Sequence, residues 1–594
     1  MFYFIKNLNV NRVYLICSIA ISLTLVSLMT YAQVQPPQLS NQASNASREL
    51  DRLERSRTRE MIQDEKRRES EIRRQNDALT EHLENESSLL NSQHKFLINK
   101  INIENDDVYA HSPQRQKIIL RYQNTEMGQK EIMELVKELT NFYVGKGYVT
   151  TLVTVLPGSL REGILNLDVL WGKISGFSVE GEPPKFFERT RLFSAIPFAS
   201  GSKLNMSDLD QGLDNLLRVS RTDKLQIVPS DDFGYSVLDL RDSKYFPISL
   251  SLGVNNSGRQ DDGWHQYNST LTVNNFAGFN DSLSFYYAYN DLRANTDNQS
   301  SWSMNYSLPL GYWLLDASLY RSEYEKVIGG YYGGYHSEGT SQRASAKLSR
   351  VLFRDSVGRF SAYTKVEGRD NTNKIEDIKI GVSSKKYSSI TLGVNRVGVL
   401  WGGGLFWDLS STAGVPWFGA AWKDEPDLKG FDLNYVKYNA MISWSKLLAQ
   451  SGPVSLSYEV NSGLQLTKDI LVSDGKQSIG DEYTVRGYKE DSVSGHNGGY
   501  ISNTVQMPIS INKYGVWQIS PFVGYDLGFI KNNCTYDMGS CPAEYLTGAA
   551  IGIKAIGSNF SSSLTLGYPL TKPSTLRGSD IDSTTLSYRF DLRF

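Results

Sequence analysis

From residue 244 to the C-terminus, apolar and polar residues alternate with period two, the spacing of a strand with one apolar face. In "FPISLSLGV", Phe246, Ile248, Leu250, Leu252 and Val254 share one face, and Pro247, Ser249, Ser251 and Gly253 the other. "SLSFYYAY" and "SWSMNYSL" alternate in the same way. The last segment, "TLSYRFDLRF", sets Leu586, Tyr588, Phe590, Leu592 and Phe594 against Ser587, Arg589, Asp591 and Arg593. About sixteen such segments can be traced, in line with the even strand numbers of bacterial outer-membrane barrels. Short turns, "PLGY" (309–312), "RDSVG" (354–358), "QSGP" (450–453) and "IGSN" (556–559), alternate with long polar stretches at 322–338, 412–430 and 466–495, expected to be loops. Short turns on one side and long loops on the other is the periplasmic/extracellular asymmetry of such barrels. A soluble β-sandwich would also alternate, but would not end on five apolar residues at spacing two or carry so charged a second face. The pattern predicts a β-rich membrane protein in which 244–594 form an antiparallel transmembrane β-barrel.

Residues 94–243 read differently. "HKFLINKINIEN" is strand-like, and "GQKEIMELVKELTNFYVGKG" carries a helical stripe of Ile132, Leu135, Val136, Leu139 and Phe142. "YVTTLVTVLP" and "GILNLDVLWGKI" follow as strands. The pattern then repeats: "ISGFSVEGE", the amphipathic "MSDLDQGLDNLLRVS", and two strands in "KLQIVPSDDFGYSVLDLRD". Two consecutive strand–helix–strand–strand units predict tandem α+β modules at 94–172 and 173–243. Ahead of them, 44–76 holds strong helix formers with no Pro or Gly, and charges of both signs on every side. Leu50, Leu53, Met61, Ile62 and Ile72 form no heptad seam, so a coiled coil is not supported. Such a helix belongs in water, as a spacer, or in a polar cavity.

The N-terminus adds a targeting signal. Lys6 and Arg12 precede the apolar run Val13–Met29, and Thr30 and Ala32 stand at the −3 and −1 positions of a cleavage site. The alternative is an N-terminal membrane anchor. Taken as a leader, 1–32 is removed, leaving a helix region at 33–76 and a linker at 77–93. Elsewhere there is no long apolar run for a spanning helix. Tyr (34), Gly (49) and Trp (10) are plentiful while only 40% of residues are hydrophobic, the composition of a barrel whose lipid face takes every other residue. The net charge of −2 gives no basic field, so no nucleic-acid partner is expected. Cys17 would leave with the leader; Cys534 and Cys541, in one polar segment of an exported chain, suggest a local disulfide. Two thiols without a nearby His make half a metal site, so neither metal nor cofactor is expected.

Leader, polar helix, two α+β modules, barrel and terminal Phe594 stand in an order similar to the outer-membrane transporters of two-partner secretion, the TpsB branch of the Omp85 superfamily. "GKGYVTTLVTVLPGSLREGILNLDVLWGKI" (145–174) resembles the end of the first POTRA domain of that family, and "IPFASGSKLNMSDLDQGLDNLLRV" (196–219) the helix of the second. "VRGY" (Val485, Arg486, Gly487, Tyr488) resembles the tip of its sixth extracellular loop. "GYDLG", with Asp526 between Gly524 and Gly528, resembles its signature on the thirteenth strand. The chain departs from the family in lacking a cysteine near the start of the first module, in "PSDDFG" (229–234), and in His496 and Asn497.

The resemblance implies a barrel of about sixteen strands behind two periplasmic POTRA domains, in the outer membrane of a Gram-negative cell. It implies that the loop folds back into the lumen, where Arg486 pairs with Asp526. Gly487 would allow a tight turn, and Tyr488 would pack its ring on the wall with its hydroxyl hydrated. The polar helix would plug the resting pore. Tyr588, Phe590, Leu592 and Phe594 would be the signal read by the barrel assembly machinery. The implied function is secretion of one large partner protein, an adhesin, haemolysin or contact-dependent inhibition toxin, engaged by the POTRA domains, from a monomer set in lipid. The alternative within the superfamily is an assembly factor for other barrels. A passive porin would need neither POTRA domains nor "VRGY". No G-x-S-x-G, H-E-x-x-H or P-loop motif is present, so no enzyme is expected.

Overall fold

The computed structural model describes residues 45–594 apart from 81–94, 159, 221–222, 242–245, 259–262, 291–297, 331–332, 423–425, 429, 490–491, 514, 534–540, 572 and 574–583. The expected leader, most of the expected linker and Cys534 lie outside the described residues.

Helix α1 spans Asn45–Thr80, running past its expected end at 76 because nothing in that stretch breaks a helix. The first module contains β1 (Phe96–Ile98), β2 (Lys100–Glu104), α2 (Pro113–Tyr122), β3 (Thr125–Met127), α3 (Gln129–Gly145), β4 (Leu152–Val155) and β5 (Ile164–Leu170). Central β5 runs parallel to β2 and antiparallel to β4, leaving β4 as a free edge of that sheet. Leu135, Leu139 and Tyr143 of α3 pack on Leu165 and Leu167 of β5.

The second module contains β6 (Lys173–Val179), α4 (Phe186–Ala195), α5 (Met206–Leu216), β7 (Lys224–Pro229) and β8 (Tyr235–Arg241), with β8 between β6 and β7. The Asn205 side chain caps α5, accepting from Ser207 N at 2.8 Å. Both modules carry a helix beyond the expected pattern. Pro113 sets the first turn of α2. In α4 the phenylalanines face outward while Leu192 and Ala195 are buried, so the sequence shows no clean stripe.

The barrel has sixteen antiparallel strands and is closed. Its first half is β9 (Ile248–Asn255), β10 (Gln266–Asn274), β11 (Ser282–Asn290), β12 (Asn298–Leu310), β13 (Trp313–Gly330), β14 (Gly333–Asp355), β15 (Gly358–Ile375) and β16 (Lys386–Leu400). Next come β17 (Gly403–Gly414), β18 (Val436–Ser451), β19 (Val454–Thr467) and β20, whose two pieces, Asn497–Gln506 and Ile509–Lys513, break at Met507-Pro508. Pro508 has no N–H to give the ladder. The last are β21 (Val516–Lys531), β22 (Glu544–Gly557), β23 (Phe560–Pro569) and β24 (Thr585–Arg593). β24 closes on β9 from Arg589↔Asn255 to Arg593↔Ser251.

Alternation sorts the wall as the sequence predicts. Leu252, Leu271, Phe285, Met304, Leu319 and Leu586 are exposed on the outer face, whereas Gln266, Asn305, Ser322, Arg343 and Arg369 are buried inside. One expected loop is corrected. Residues 322–338 belong mostly to a continuous β13–β14 ladder that reaches Gly330↔Gly333. Polar residues there mark the end of the hydrocarbon, not of the sheet, because a ladder persists in water as long as its backbone groups stay paired. The stretch 466–495 is largely irregular beyond β19, with a small ribbon pairing Gln477–Ile479 with Val493–Gly495.

The second module meets the barrel at its short turns. Gly311 N donates to Ser194 O at 2.8 Å, Thr190 Oγ1 to Gly278 O at 2.8 Å, and Asn280 Nδ2 to Arg191 O at 2.6 Å.

Candidate functional site: the occupied lumen

Arg486 lies against the inner wall of β21. Its Nε donates to Asp526 Oδ2 at 2.6 Å and one terminal nitrogen to Oδ1 at 2.6 Å, while its backbone N–H reaches Oδ2 at 3.0 Å. The same terminal nitrogen also donates to Asn503 O at 2.9 Å. Asp526 is fully buried. A planar guanidinium satisfied by a bidentate carboxylate and a carbonyl is the arrangement a confined site requires.

The glycines make room for this contact. A Cβ on Gly524 would sit 2.1 Å from an Arg486 nitrogen, and one on Gly528 2.8 Å from Val485 Cγ2. Gly487 adopts φ +105°, and a Cβ there would meet Pro569 N at 2.7 Å. Gly548 provides a further seat, since its Cβ would overlap Arg486 O. Val485 and Tyr488 are buried with Ile479, Val493, Ile530 and Leu546.

Tyr488 departs from expectation. Its hydroxyl is not hydrated but sits between Thr571 O at 2.6 Å and Thr547 O at 2.8 Å, with the residue 1% exposed. The loop and the β22–β23 region enclose it, and a buried hydroxyl needs a protein acceptor.

Helix α1 occupies the lumen, leaving a polar cavity lined by Arg59, Gln63, Glu459, Arg486 and Lys554, and many of its charges are paired with the wall. In the N-terminal half, Asp51 accepts from Arg343 at 2.5 Å and Arg369 at 3.1 Å, and Glu54 pairs with Lys365 at 3.1 Å and with Arg343. Arg55 pairs with Asp481, and Arg59 donates to Tyr483 O at 2.5 Å, which ties the helix to the segment that carries Arg486. Towards the short-turn end, Glu65 pairs with Arg359 and Glu69 with Arg354, both at 2.9 Å.

Buried Asp214 of α5 collects three cations there: Arg68 of α1 at 2.9 Å, Arg354 at the end of β14 at 3.4 Å, and Arg359 at the start of β15. Asn76 of α1 donates to Asp210 of α5 at 3.0 Å. The barrel wall, a helix inside it and the second module thus share one ion network.

A closed sixteen-stranded barrel with an internal helix and two small modules can be compared with known proteins. The family described as "Haemolysin secretion/activation protein ShlB/FhaC/HecB" matches residues 234–555, and ShlB-type and general POTRA domains match 96–172 and 173–229. The chain belongs to this family. It is a two-partner secretion transporter of the outer membrane, with its POTRA modules in the periplasm.

Among curated relatives, the outer membrane transporter CdiB of Dickeya dadantii is 27% identical over 78% of this chain and 81% of its own length. The hemolysin transporter protein ShlB of Serratia marcescens is 28% identical over 67% and 70%. The solved structure of CdiB from Escherichia coli shares the fold, with a TM-score of 0.81, 24% identity, and coverage of 95% of this chain and all of that one. The rival reading as an assembly factor for other barrels is set aside by the family match.

The remaining expected residues are placed as follows. Tyr588, Phe590 and Leu592 share the outer face of β24 at the seam of the transporter's barrel, and Phe594, just beyond the strand, donates from its N to Leu250 O at 2.8 Å. Cys541 is disulfide-bonded. His496 and Asn497 both touch Asn533: His496 Nδ1 accepts from Asn533 N at 2.9 Å, and Asn497 donates to Asn533 Oδ1 at 2.8 Å.

Asp214, Arg343, Lys365, Arg369 and Gly548 carry no motif in the sequence that marks them as part of this site. Lys365, Glu367 and Arg369 were visible as charges at spacing two on one strand face, but the α1 partners of Lys365 and Arg369 lie roughly 300 residues away, where only folding brings them together.

Proposed function

We propose that this transporter exports one large, unfolded partner protein through a barrel whose resting state is closed by α1. The observation that carries the reading is the continuous series of ion pairs between α1 and the inner wall. A helix that is polar all round is stable inside a lumen only if its charges are met there, as those of Asp51, Glu54, Arg55, Glu65, Arg68 and Glu69 are. The partner's secretion domain adds a strand to a POTRA sheet, for which the β4 edge is available with Leu152 and Val155 exposed. The chain then threads the space that α1 vacates and folds outside. Movement needs no covalent step, so no catalytic residue is assigned.

The pair of Arg486 and Asp526 holds the sixth extracellular loop against the wall, so that its release or rearrangement is coupled to the pore. The exported protein is taken to be an adhesin, a haemolysin or a contact-dependent inhibition toxin. The transporter acts as a monomer and is inserted by the barrel assembly machinery, which reads the C-terminal strand. A disulfide between Cys534 and Cys541 closes a short outer loop.

The test is deletion of residues 40–76. Conductance in planar bilayers rises severalfold, while the barrel keeps its heat-modifiable mobility on gels. Unchanged conductance with a folded barrel refutes the plug.

A further inference from the structure

The second POTRA module exposes an apolar face that secretion does not account for. Phe186, Phe187 and Phe193 of α4 are 74%, 70% and 75% exposed. The opposite side of α4 is already committed to the module core, where Leu192 and Ala195 pack with Val179, Leu216 and Leu240. A ten-residue helix with three bare aromatic rings on one side is either a docking surface or an aggregation hazard.

The position of α4 names the occupant. Its hydrogen bonds to Gly278, Asn280 and Gly311 fix it beneath the short turns joining β10 to β11 and β12 to β13. The Phe187 ring lies beside Gly278, 3.6 Å from where a Cβ would project, and stacks edge-on with Phe186 at 5.5 Å. Exposed Phe276 sits in the first of these turns, and exposed Leu310 and Trp313 flank the second on the outer, lipid-facing side of the wall. The phenylalanines therefore continue the barrel's apolar belt at its periplasmic rim. Lys185 and Arg189, both exposed, lie beside them where phosphate headgroups would be.

We propose that α4 is an interfacial membrane anchor: Phe186, Phe187 and Phe193 insert into the periplasmic phospholipid leaflet and hold the second POTRA module at the pore mouth. Large aromatic rings with flanking cations on one side of a helix are the means by which interfacial helices bind lipid. The inference rests on the transporter reading only for the level of the bilayer.

The experiment places a nitroxide at Phe186→Cys, Phe193→Cys, Phe233→Cys or Leu566→Cys, in a Cys534→Ser/Cys541→Ser background of the full mature chain. The protein sits in nanodiscs of phosphatidylethanolamine and phosphatidylglycerol. Phe233 is 83% exposed in the β7–β8 turn and reports water, whereas Leu566 is exposed on the lipid face of β23 and reports hydrocarbon. The expected result is a ratio of oxygen to nickel-chelate accessibility severalfold higher at 186 and 193 than at 233, approaching that at 566. Values at 186 and 193 equal to that at 233 overturn the proposal. So does protection from the nickel chelate that arises only when a secretion domain of the partner is added, because the face would then be a polypeptide site. A water-like signal at 566 would instead refute the membrane reading of the barrel itself.

Discussion

Arg486 and Asp526 stand far apart in the sequence, yet neither is satisfied without the other. The pair is 11% and 0% exposed at the side chains, so removing one partner leaves an uncompensated charge at a cost of about 3–5 kcal/mol. The barrel keeps its own ladder, and that cost falls on the loop. Arg486→Ala and Asp526→Ala are each expected to leave outer-membrane abundance near normal and to reduce secreted partner per assembled transporter by at least about tenfold, the equivalent of 1.4 kcal/mol. Because both act through one contact, the double variant is expected to be no worse than the more damaged single one. A double variant whose defect equals the product of the two singles refutes the pairing as the functional unit. The identities of these residues were legible from "VRGY" and "GYDLG". The fate of the Tyr488 hydroxyl was not, because it depends on Thr547 and Thr571, which sequence does not place beside it.

Among the elements, α1 was read correctly as a helix, but its surroundings supply its meaning. Its C-terminal end leans on α5, where burial pushes the Asp210 carboxyl up to about 6, with Glu69 adding to the rise and Arg354 and the Asn76 amide opposing it. A raised carboxylate favours the protonated form in the docked state. Between the ordinary value of 3.8 and about 6, a released Asp210 loses its proton before the docked one does. Docking is therefore weakened progressively over that window, and the full penalty holds above it, with a ceiling of about 3 kcal/mol. Acidification from pH 7.5 to 5 is expected to lower the open-channel fraction in planar bilayers. Asp210→Asn is expected to show the low open fraction at both pH values. An unchanged pH response in Asp210→Asn assigns the effect to other groups.

For the whole molecule, the seam is the weak line. β24 meets β9 over a short register, from Arg589↔Asn255 to Arg593↔Ser251, whereas β13 and β14 pair from Trp313↔Arg350 to Gly330↔Gly333. Phe594 extends the seam by a reciprocal backbone pair with Leu250, at 2.8 and 3.2 Å. Deleting Phe594 is expected to cut assembled barrel in the outer membrane severalfold by heat-modifiability on gels, with periplasmic precursor accumulating. Normal assembly without it would remove the role given to the C-terminal strand.

Period two, the helical stripes and the turn residues determined the barrel, the two modules and the polar helix, because each is a local choice written in spacing. Polarity misjudged 322–338, since a strand outside the bilayer needs no apolar face to keep its ladder. The exposed phenylalanines hid α4, because its pattern answers to lipid as well as to the module core. Only the tertiary structure decided that α1 lies inside the barrel and that Asp214 gathers arginines from α1, β14 and β15. Charge matching is a relation between distant segments: the sequence can supply both partners, but only closure of the barrel brings them within reach.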